Sequence, residues 1–198
     1  EKWIKKKFDA IIISANDPYA LVPVMKEAQQ VGIKTATWSS DISEGREYFL
    51  NQTSYKKMGE CIVDMMVKSL KEPAGNFLVI TSSYKSPNQS KWLGAMKLYS
   101  QKKYPKIIYK DILSSEGSST LAIKYTHQYL KNNSSTKGIF SLSGDATPQI
   151  IDVLKKLKLI DKIAITGIGV PPQITTFLKE GSIKQVALWK PENLGYGA

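Results

Sequence analysis

The chain has 198 residues, 42% of them hydrophobic, and 28 Lys plus Arg against 17 Asp plus Glu give a formal charge of +11. That length accommodates one large domain or two small lobes with ordinary cores, and no apolar run reaches the roughly eighteen residues a membrane span needs. Arg46 is the only arginine and Cys61 the only cysteine, so the charge does not read as base-edge recognition, which favours arginine forks, and an intrachain disulfide is excluded.

The opening Glu1-Lys2-Trp3-Ile4-Lys5 has no signal-peptide core and no initiator Met, which gives the expectation of a mature or trimmed chain. A helix-like scrap (Trp3, Ile4, Phe8) leads into a strand at 10–14, Ala-Ile-Ile-Ile-Ser. Asp17-Pro18 reads as N-cap and first position of a helix over 18–31, and Gly32 as the glycine that ends it. Further strands are predicted at 33–38, 77–82, 106–112, 138–142, 163–168 and 183–189. The amphipathic stretches 53–71, 88–103, 118–132, 146–158 and 172–180 are predicted helices. Cys61 falls in the apolar run Cys61-Ile62-Val63 and is expected in a core. His127, the lone histidine, lies on the 118–132 helix with no second ligand nearby, so neither a metal site nor a catalytic triad is expected. Asp145 is a candidate cap for the 146–158 helix. Lysines such as Lys26, Lys68, Lys102, Lys155 and Lys179 are spread over helix faces and turns, a solvated surface and not a nucleic-acid patch. The chain ends on Pro191-Glu192-Asn193-Leu194-Gly195-Tyr196, a helix just starting.

Continuous apolar strands alternating with helices imply right-handed βαβ units and parallel, doubly wound α/β sheets. Ligands in such sheets bind outside the carboxyl ends of the strands. There the sequence places Ser14-Ala15-Asn16-Asp17, Trp38-Ser39-Ser40-Asp41, the 82–89 segment with Asn88 and Gln89, Leu142-Ser143-Gly144-Asp145, Gly167-Ile168-Gly169-Val170 and Trp189-Lys190-Pro191. No phosphate loop, dinucleotide fingerprint or nucleophile–base pair accompanies them. Hydroxyls, amides and two indoles suit a small, neutral, hydroxyl-rich molecule, with directed hydrogen bonds for its hydroxyls and an indole face for its C–H side. The same Ser, Asn and Asp residues are also turn and cap formers.

The runs Ser14-Ala15-Asn16-Asp17-Pro18, Gly32-Ile33-Lys34, Thr37-Trp38-Ser39-Ser40-Asp41, Asn51-Gln52, Asn88-Gln89-Ser90-Lys91-Trp92, Gly167-Ile168-Gly169-Val170-Pro171 and Leu188 through Tyr196 resemble the type I periplasmic sugar-binding proteins. Within these the sequence is most similar to the autoinducer-2 receptors and the rhamnose-binding proteins of ABC importers. The resemblance implies two α/β lobes joined by crossing strands with the ligand in the cleft between. It places 1–51 in the N-terminal lobe, 52–188 in the C-terminal lobe and 189–198 on the return crossing. The first βα unit of the N-terminal lobe would lie outside this sequence. Carried over residue by residue, the receptor pattern's aspartate after the strand-end tryptophan falls on Ser39, with Asp41 the nearest carboxylate. Its Asp-Gln pair falls on Asn88-Gln89, and its proline and alanine on Leu142 and Gly144. Only Gln89 matches outright.

The resemblance thus implies a binding protein and not an enzyme, without a cofactor or metal. The ligand-binding set would be Ser14, Trp38, Ser39, Asp41, Asn88, Gln89, Leu142, Ser143, Gly144 and Trp189. The expected partners are autoinducer-2, or rhamnose or another monosaccharide, and an ABC transporter permease. The protein is expected to be a monomer without a nucleic-acid partner. It would be extracytoplasmic, periplasmic or lipid-anchored, with the Lys-rich composition favouring a Gram-positive cell surface. The effector domain of a transcription regulator shares the fold and is the competing class; a preceding helix-turn-helix would mark it.

Overall fold

In the computed structural model, which describes residues 1–197, the chain runs α1 (Lys2–Lys5), β1 (Ala10–Ile13), α2 (Val22–Gln30), β2 (Lys34–Trp38), β3 (Tyr48–Leu50), α3 (Tyr55–Lys68) and β4 (Gly75–Thr81). It continues α4 (Pro87–Lys103), β5 (Ile107–Ser114), α5 (Ser119–Asn132), β6 (Thr136–Ser141), α6 (Ala146–Lys156), β7 (Ala164–Gly167), α7 (Pro171–Lys179) and α8 (Pro191–Gly197). These residues form two compact units. One comprises Glu1–Tyr55, Lys85–Lys91 and the chain from Trp189 onward; the other comprises Lys56–Tyr84 and Trp92–Leu188. The architecture is α/β with parallel sheets.

In the first unit β1, β2 and β3 form a three-stranded parallel sheet, with Ala10 opposite Lys34 and Trp38 opposite Leu50. α2 crosses from β1 to β2 and buries Met25 and Ala28 against Ile11, Ala15, Ile33 and Ile42. Gly32, at φ +85°, supplies the left-handed residue that ends the helix, as its sequence position predicts. The helix starts later than expected. Asp17 accepts the backbone N–H groups of Tyr19 and Ala20 at 2.8 and 3.0 Å, so it closes a turn, and helix begins only at Val22 with a proline in its first turn. β3 was not expected. It has three residues and no helix before it, so neither periodicity nor length marked it.

The second unit holds a four-stranded parallel sheet in the order β5-β4-β6-β7. β4 is central, and its apolar run Phe77-Leu78-Val79-Ile80 is wholly buried, as a strand covered on both faces must be. Leu78, Ile80, Ile139 and Ile165 join Ile150, Ile151 and Leu154 of α6, Ala122 and Leu130 of α5, and Ile174 of α7 in one core. Ser118 caps α5 by accepting the Leu121 N–H. Asp145 occupies the cap position of α6, but its side chain makes no capping bond.

Two expectations are corrected here. Residues 183–189 do not form a strand; Ala187 makes a single parallel bridge to Ile168, so Trp189 follows loop and not a strand end. Gly167 and Gly169 explain the bridge. A Cβ on Gly169 would stand 2.7 Å from Val186, so the glycine lets that segment approach without the length a ladder needs. Cys61 is exposed and not packed in the core, because α3 turns Ile62, Val63, Met65 and Met66 inward and leaves position 61 on its outer face.

Candidate ligand-binding site

At the carboxyl edge of the first unit's sheet the chain reverses directly after Trp38. The Ser40 N–H donates to the Trp38 carbonyl at 2.5 Å across a single residue, and Ser39 sits at φ +61°. That is a three-residue γ-turn in the hand that L residues rarely take, and it stores strain at a non-glycine position. Neighbouring strands hold it: the Ser39 N–H donates to Leu50 O at 2.9 Å, and Ser40 O accepts from the Ala15 N–H at 3.1 Å. The result is a half-buried Ser39 beside an indole that is 37% exposed.

Asp41 fastens the turn from below. Its Oδ1 accepts from Thr37 Oγ1 at 2.5 Å, Arg46 Nε at 2.8 Å and the Ile42 N–H at 2.9 Å, and its Oδ2 accepts from Arg46 Nη2 at 2.7 Å. The guanidinium thus grips the carboxylate with two parallel bonds, the strongest common form of ion pair. Burial pushes the Asp41 carboxyl up, but the bonds from Arg46 and Thr37 prevail and hold it below the usual carboxylate range; Asp41 in turn raises Arg46. Burial, and then the nearby Asp41 charge, push the Tyr55 phenol up. Both Asp41 oxygens are taken, so the carboxylate supports the turn from within the unit. Neither Arg46 nor Tyr55 was anticipated. Arg46 stands out in the sequence only as the single arginine.

Asn88 and Gln89 belong to the same unit, on the turn that opens α4. The turn is tied at both flanks: Lys85 Nζ lies 3.1 Å from Asp17 Oδ2, and Lys91 Nζ lies 4.8 Å over the Tyr55 ring. Asn88 Oδ1 accepts from Ser86 Oγ at 2.8 Å and from the Gln89 N–H at 2.7 Å, so the amide that replaces the receptor pattern's acid shapes the helix start. Gln89 and Trp189 are half-buried, and Ser14 is exposed at the end of β1. Asp17 is drawn below its usual range by the Tyr19 N–H and by Lys85.

Leu142, Ser143 and Gly144 lie in the second unit, just past β6 and next to the central β4, where the strand order reverses. Leu142 is buried, its N–H extending the ladder to Ile80 O at 2.8 Å. The Ser143 carbonyl faces inward and accepts from Ser141 Oγ and Thr147 Oγ1, each at 3.1 Å. Thr147 Oγ1 also reaches Ile168 O at 2.6 Å, which pins this turn to the loop after β7. A Cβ on Gly144 would stand 2.8 Å from Val170 Cγ2, so a larger residue there would press on that loop. Sequence reading passed over the tip after β5. Ser115 hydrogen-bonds the Thr81 carbonyl, and the one Ser114 hydroxyl proton has the Ser82 carbonyl and the carboxylate of an exposed Glu116 at φ +48° as alternative acceptors. The run Ser114-Ser115-Glu116-Gly117 was the available signal.

The set contains hydroxyls, amides and indoles on strand ends, a helix start and a loop. It can bind and orient a polar molecule, and it holds no arranged nucleophile and base. The fold has close relatives among solved structures. An ABC transporter solute-binding protein from Clostridium phytofermentas, with bound L-rhamnose, superimposes with a TM-score of 0.90 at 24% identity, over 98% of this chain and 62% of that one. A solute-binding protein from Burkholderia graminis in complex with D-arabinose gives 0.89 at 25% identity, over 98% and 68%. LsrB from Clostridium saccharobutylicum in complex with AI-2 gives 0.85 at 22% identity, over 92% and 59%. The chain therefore spans about six-tenths to two-thirds of the length of these relatives. A family model for the periplasmic binding protein domain matches residues 1–198, and with parallel sheets whose polar groups gather at the strands' carboxyl ends, the chain belongs to that family.

Proposed function

We propose that the protein is an extracytoplasmic solute-binding protein that captures autoinducer-2, a small hydroxylated ligand, and delivers it to an ABC importer without chemistry of its own. The observation that carries this reading is the Trp38–Ser39 turn. A strained γ-turn, clamped by a partly buried ion pair, presents a hydroxyl beside an exposed indole at a strand's carboxyl end. In this reading Ser14, Ser39, Asn88 and Gln89 supply hydrogen bonds and Trp38 and Trp189 supply apolar faces. The 142–144 segment contributes backbone, and Asp41 acts through the turn. Division into an N-terminal lobe remainder (1–51), a C-terminal lobe (52–188) and a return crossing follows the resemblance. Attachment of a monomer to the outer surface of a Gram-positive cell by a lipid anchor follows the Lys-rich composition.

A second reading, capture of rhamnose or another monosaccharide, is favoured by one observation: the relatives with L-rhamnose and D-arabinose superimpose more closely than the one with AI-2. Mass spectrometry of the small molecule released on denaturing the protein, expressed from its complete coding sequence, separates the two. Calorimetric titration with each ligand follows. Gln89→Ala should weaken binding by about 1–3 kcal/mol, since a buried polar ligand group loses its partner. Unchanged affinity in a folded Gln89→Ala protein removes that residue from the site, and no binding of any of these ligands ends the reading.

A further inference from the structure

At the opposite edge of the second unit's sheet lies a cavity of about 580 Å³. It is lined by the 69–74 loop before β4, Lys137 at the start of β6, the 160–165 segment entering β7, and the 181–184 loop after α7. All four strands are parallel, so these segments mark the amino edge, one strand length (on the order of 20 Å) from the polar carboxyl edge. Each segment brings one lysine: Lys71, Lys137, Lys162 and Lys184. None of the four is in an ion pair among the described residues, whereas Lys26, Lys34, Lys85, Lys103, Lys106 and Lys155 are. Of the two carboxylates on the rim, Glu72 is already matched by Lys106 at 3.2 Å, and Asp161 remains.

The lysines are not explained by the helix ends nearby. α3, α6 and α7 end at Lys68, Lys156 and Lys179, so Lys71, Lys162 and Lys184 lie beyond the last turn, where the field of a helix dipole has decayed. Lys137 has a seat made for it. Gly75, at φ +111°, leaves open the space in which a Cβ would stand 2.7 Å from Lys137 Cγ. Of the lining residues Ile163, Ile165 and Ile183 are buried, so the cavity has an apolar floor under an exposed lysine rim.

The geometry points to a second binding site: an anion site for a compact ligand with adjacent phosphate groups, separate from the sugar-type edge and independent of its assignment. Ammonium groups act as point charges that need no planar fork, so four lysines lining one cavity from four segments suit the tetrahedral oxygens of phosphate better than a lone carboxylate. The cavity volume falls within the usual range for small-ligand sites. Two sources share this chemistry, a free polyphosphate and the phosphate headgroup of an anionic lipid.

The test uses two probes on the same protein: inorganic tripolyphosphate by calorimetry, and phosphatidylcholine vesicles with or without phosphatidylglycerol by co-sedimentation. The cavity variant carries Lys71→Gln, Lys137→Gln, Lys162→Gln and Lys184→Gln. A control neutralises Lys5, Lys56, Lys97 and Lys124, which are exposed and do not line the cavity, in the same way, and circular dichroism checks that both are folded. Tripolyphosphate should bind one to one, weaken as salt shortens the screening length from about 10 Å at 0.1 M to about 3 Å at 1 M, and bind the cavity variant on the order of tenfold or more weakly. The control should bind like the parent, and Lys→Arg at the four positions should retain binding. Saturation by tripolyphosphate alone assigns a free phosphate; sedimentation with the anionic vesicles alone, abolished in the cavity variant, assigns a headgroup. An equal loss in the control reduces the effect to net charge and overturns the site, as does failure of both probes to bind.

Discussion

Replacing Arg46 by Met keeps the side chain's bulk but leaves the Asp41 carboxylate without its fork. Asp41 would retain Thr37 Oγ1 and the Ile42 N–H and lose two charge-assisted bonds. Such bonds contribute about 1.5–3 kcal/mol each, and removing one partner of a fully buried pair costs about 3–5 kcal/mol. The pair is not fully buried: the Asp41 side chain is 10% exposed and that of Arg46 29%. Water will replace part of the lost bonding, so the expected destabilisation is about 2–3 kcal/mol. Urea denaturation measures it, and hydrogen exchange at the Ser39 and Ala15 amides locates it, because both bond to the strained turn's surroundings. The pH dependence has a definite sign. The folded Asp41 carboxyl lies below its unfolded value, so its stabilisation is fully present above about pH 3.9 and is lost as pH falls through the folded value. The gap between parent and variant should therefore be widest above that pH and close on acidification. A loss under about 0.5 kcal/mol, the scale of an exposed pair, with unchanged exchange at both amides, would refute the idea that this ion pair holds the turn.

Three further outcomes are expected. Gly167→Ala should destabilise the second unit by more than about 3 kcal/mol in chemical denaturation, because its Cβ would fall 1.8 Å from Ser141 O at φ +154°; a change within experimental error would show that the β6–β7 contact yields easily. Thr147→Val should cost about 1–3 kcal/mol, since the hydroxyl's one proton is lost to the buried Ile168 carbonyl at 2.6 Å; equal midpoints for the two proteins count against Thr147 as the pin of the 143 turn. Cys61 should react completely with a maleimide under native conditions, and a thiol that reacts only in denaturant would contradict its outward position on α3.

Much of the fold was readable because it rests on hydrophobic burial. Phe77-Leu78-Val79-Ile80 is a two-sided strand in sequence and in structure, and Gly32 ends α2 where its backbone freedom is required. Elements resting on a few hydrogen bonds were not readable. β3 has three residues, held by pairing with Ala36, Thr37 and Trp38, and no periodicity arises over so short a span. Residues 183–189 carry a strand's composition, yet the chain forms only the Ala187 bridge. Asp17-Pro18 has helix-start chemistry, but its carboxylate closed a turn first. At the carboxyl edge the residue types were visible but not their partners. That Asp41 would meet Arg46 depends on how the 39–47 loop folds back, which no local pattern encodes.

The same distinction narrows what the polar edge can offer a ligand. Asp41 gives both oxygens to Arg46, Thr37 and its neighbour's N–H; Asn88 gives its oxygen to Ser86 and Gln89; Asp17 serves its own turn and Lys85; the Ser143 carbonyl serves Ser141 and Thr147. Each of these groups fits the turn-and-cap role that Asp, Asn and Ser fill in any loop. Ser39 stands apart. Its positive φ, shared among these strand-end tips with Glu116, is uncommon for a residue with a Cβ, and asparagine or glycine would take it at lower cost. A serine there, with an exposed tryptophan before it and a clamped carboxylate after it, puts strain into the placement of one hydroxyl and one indole. Strain of this kind persists where the surroundings over-determine it, and it gathers at binding sites. In the proposed reading the Asp41–Arg46 pair preorganises the Trp38–Ser39 tip. An ordered tip loses less freedom when a ligand arrives, which is how a small polar surface reaches useful affinity.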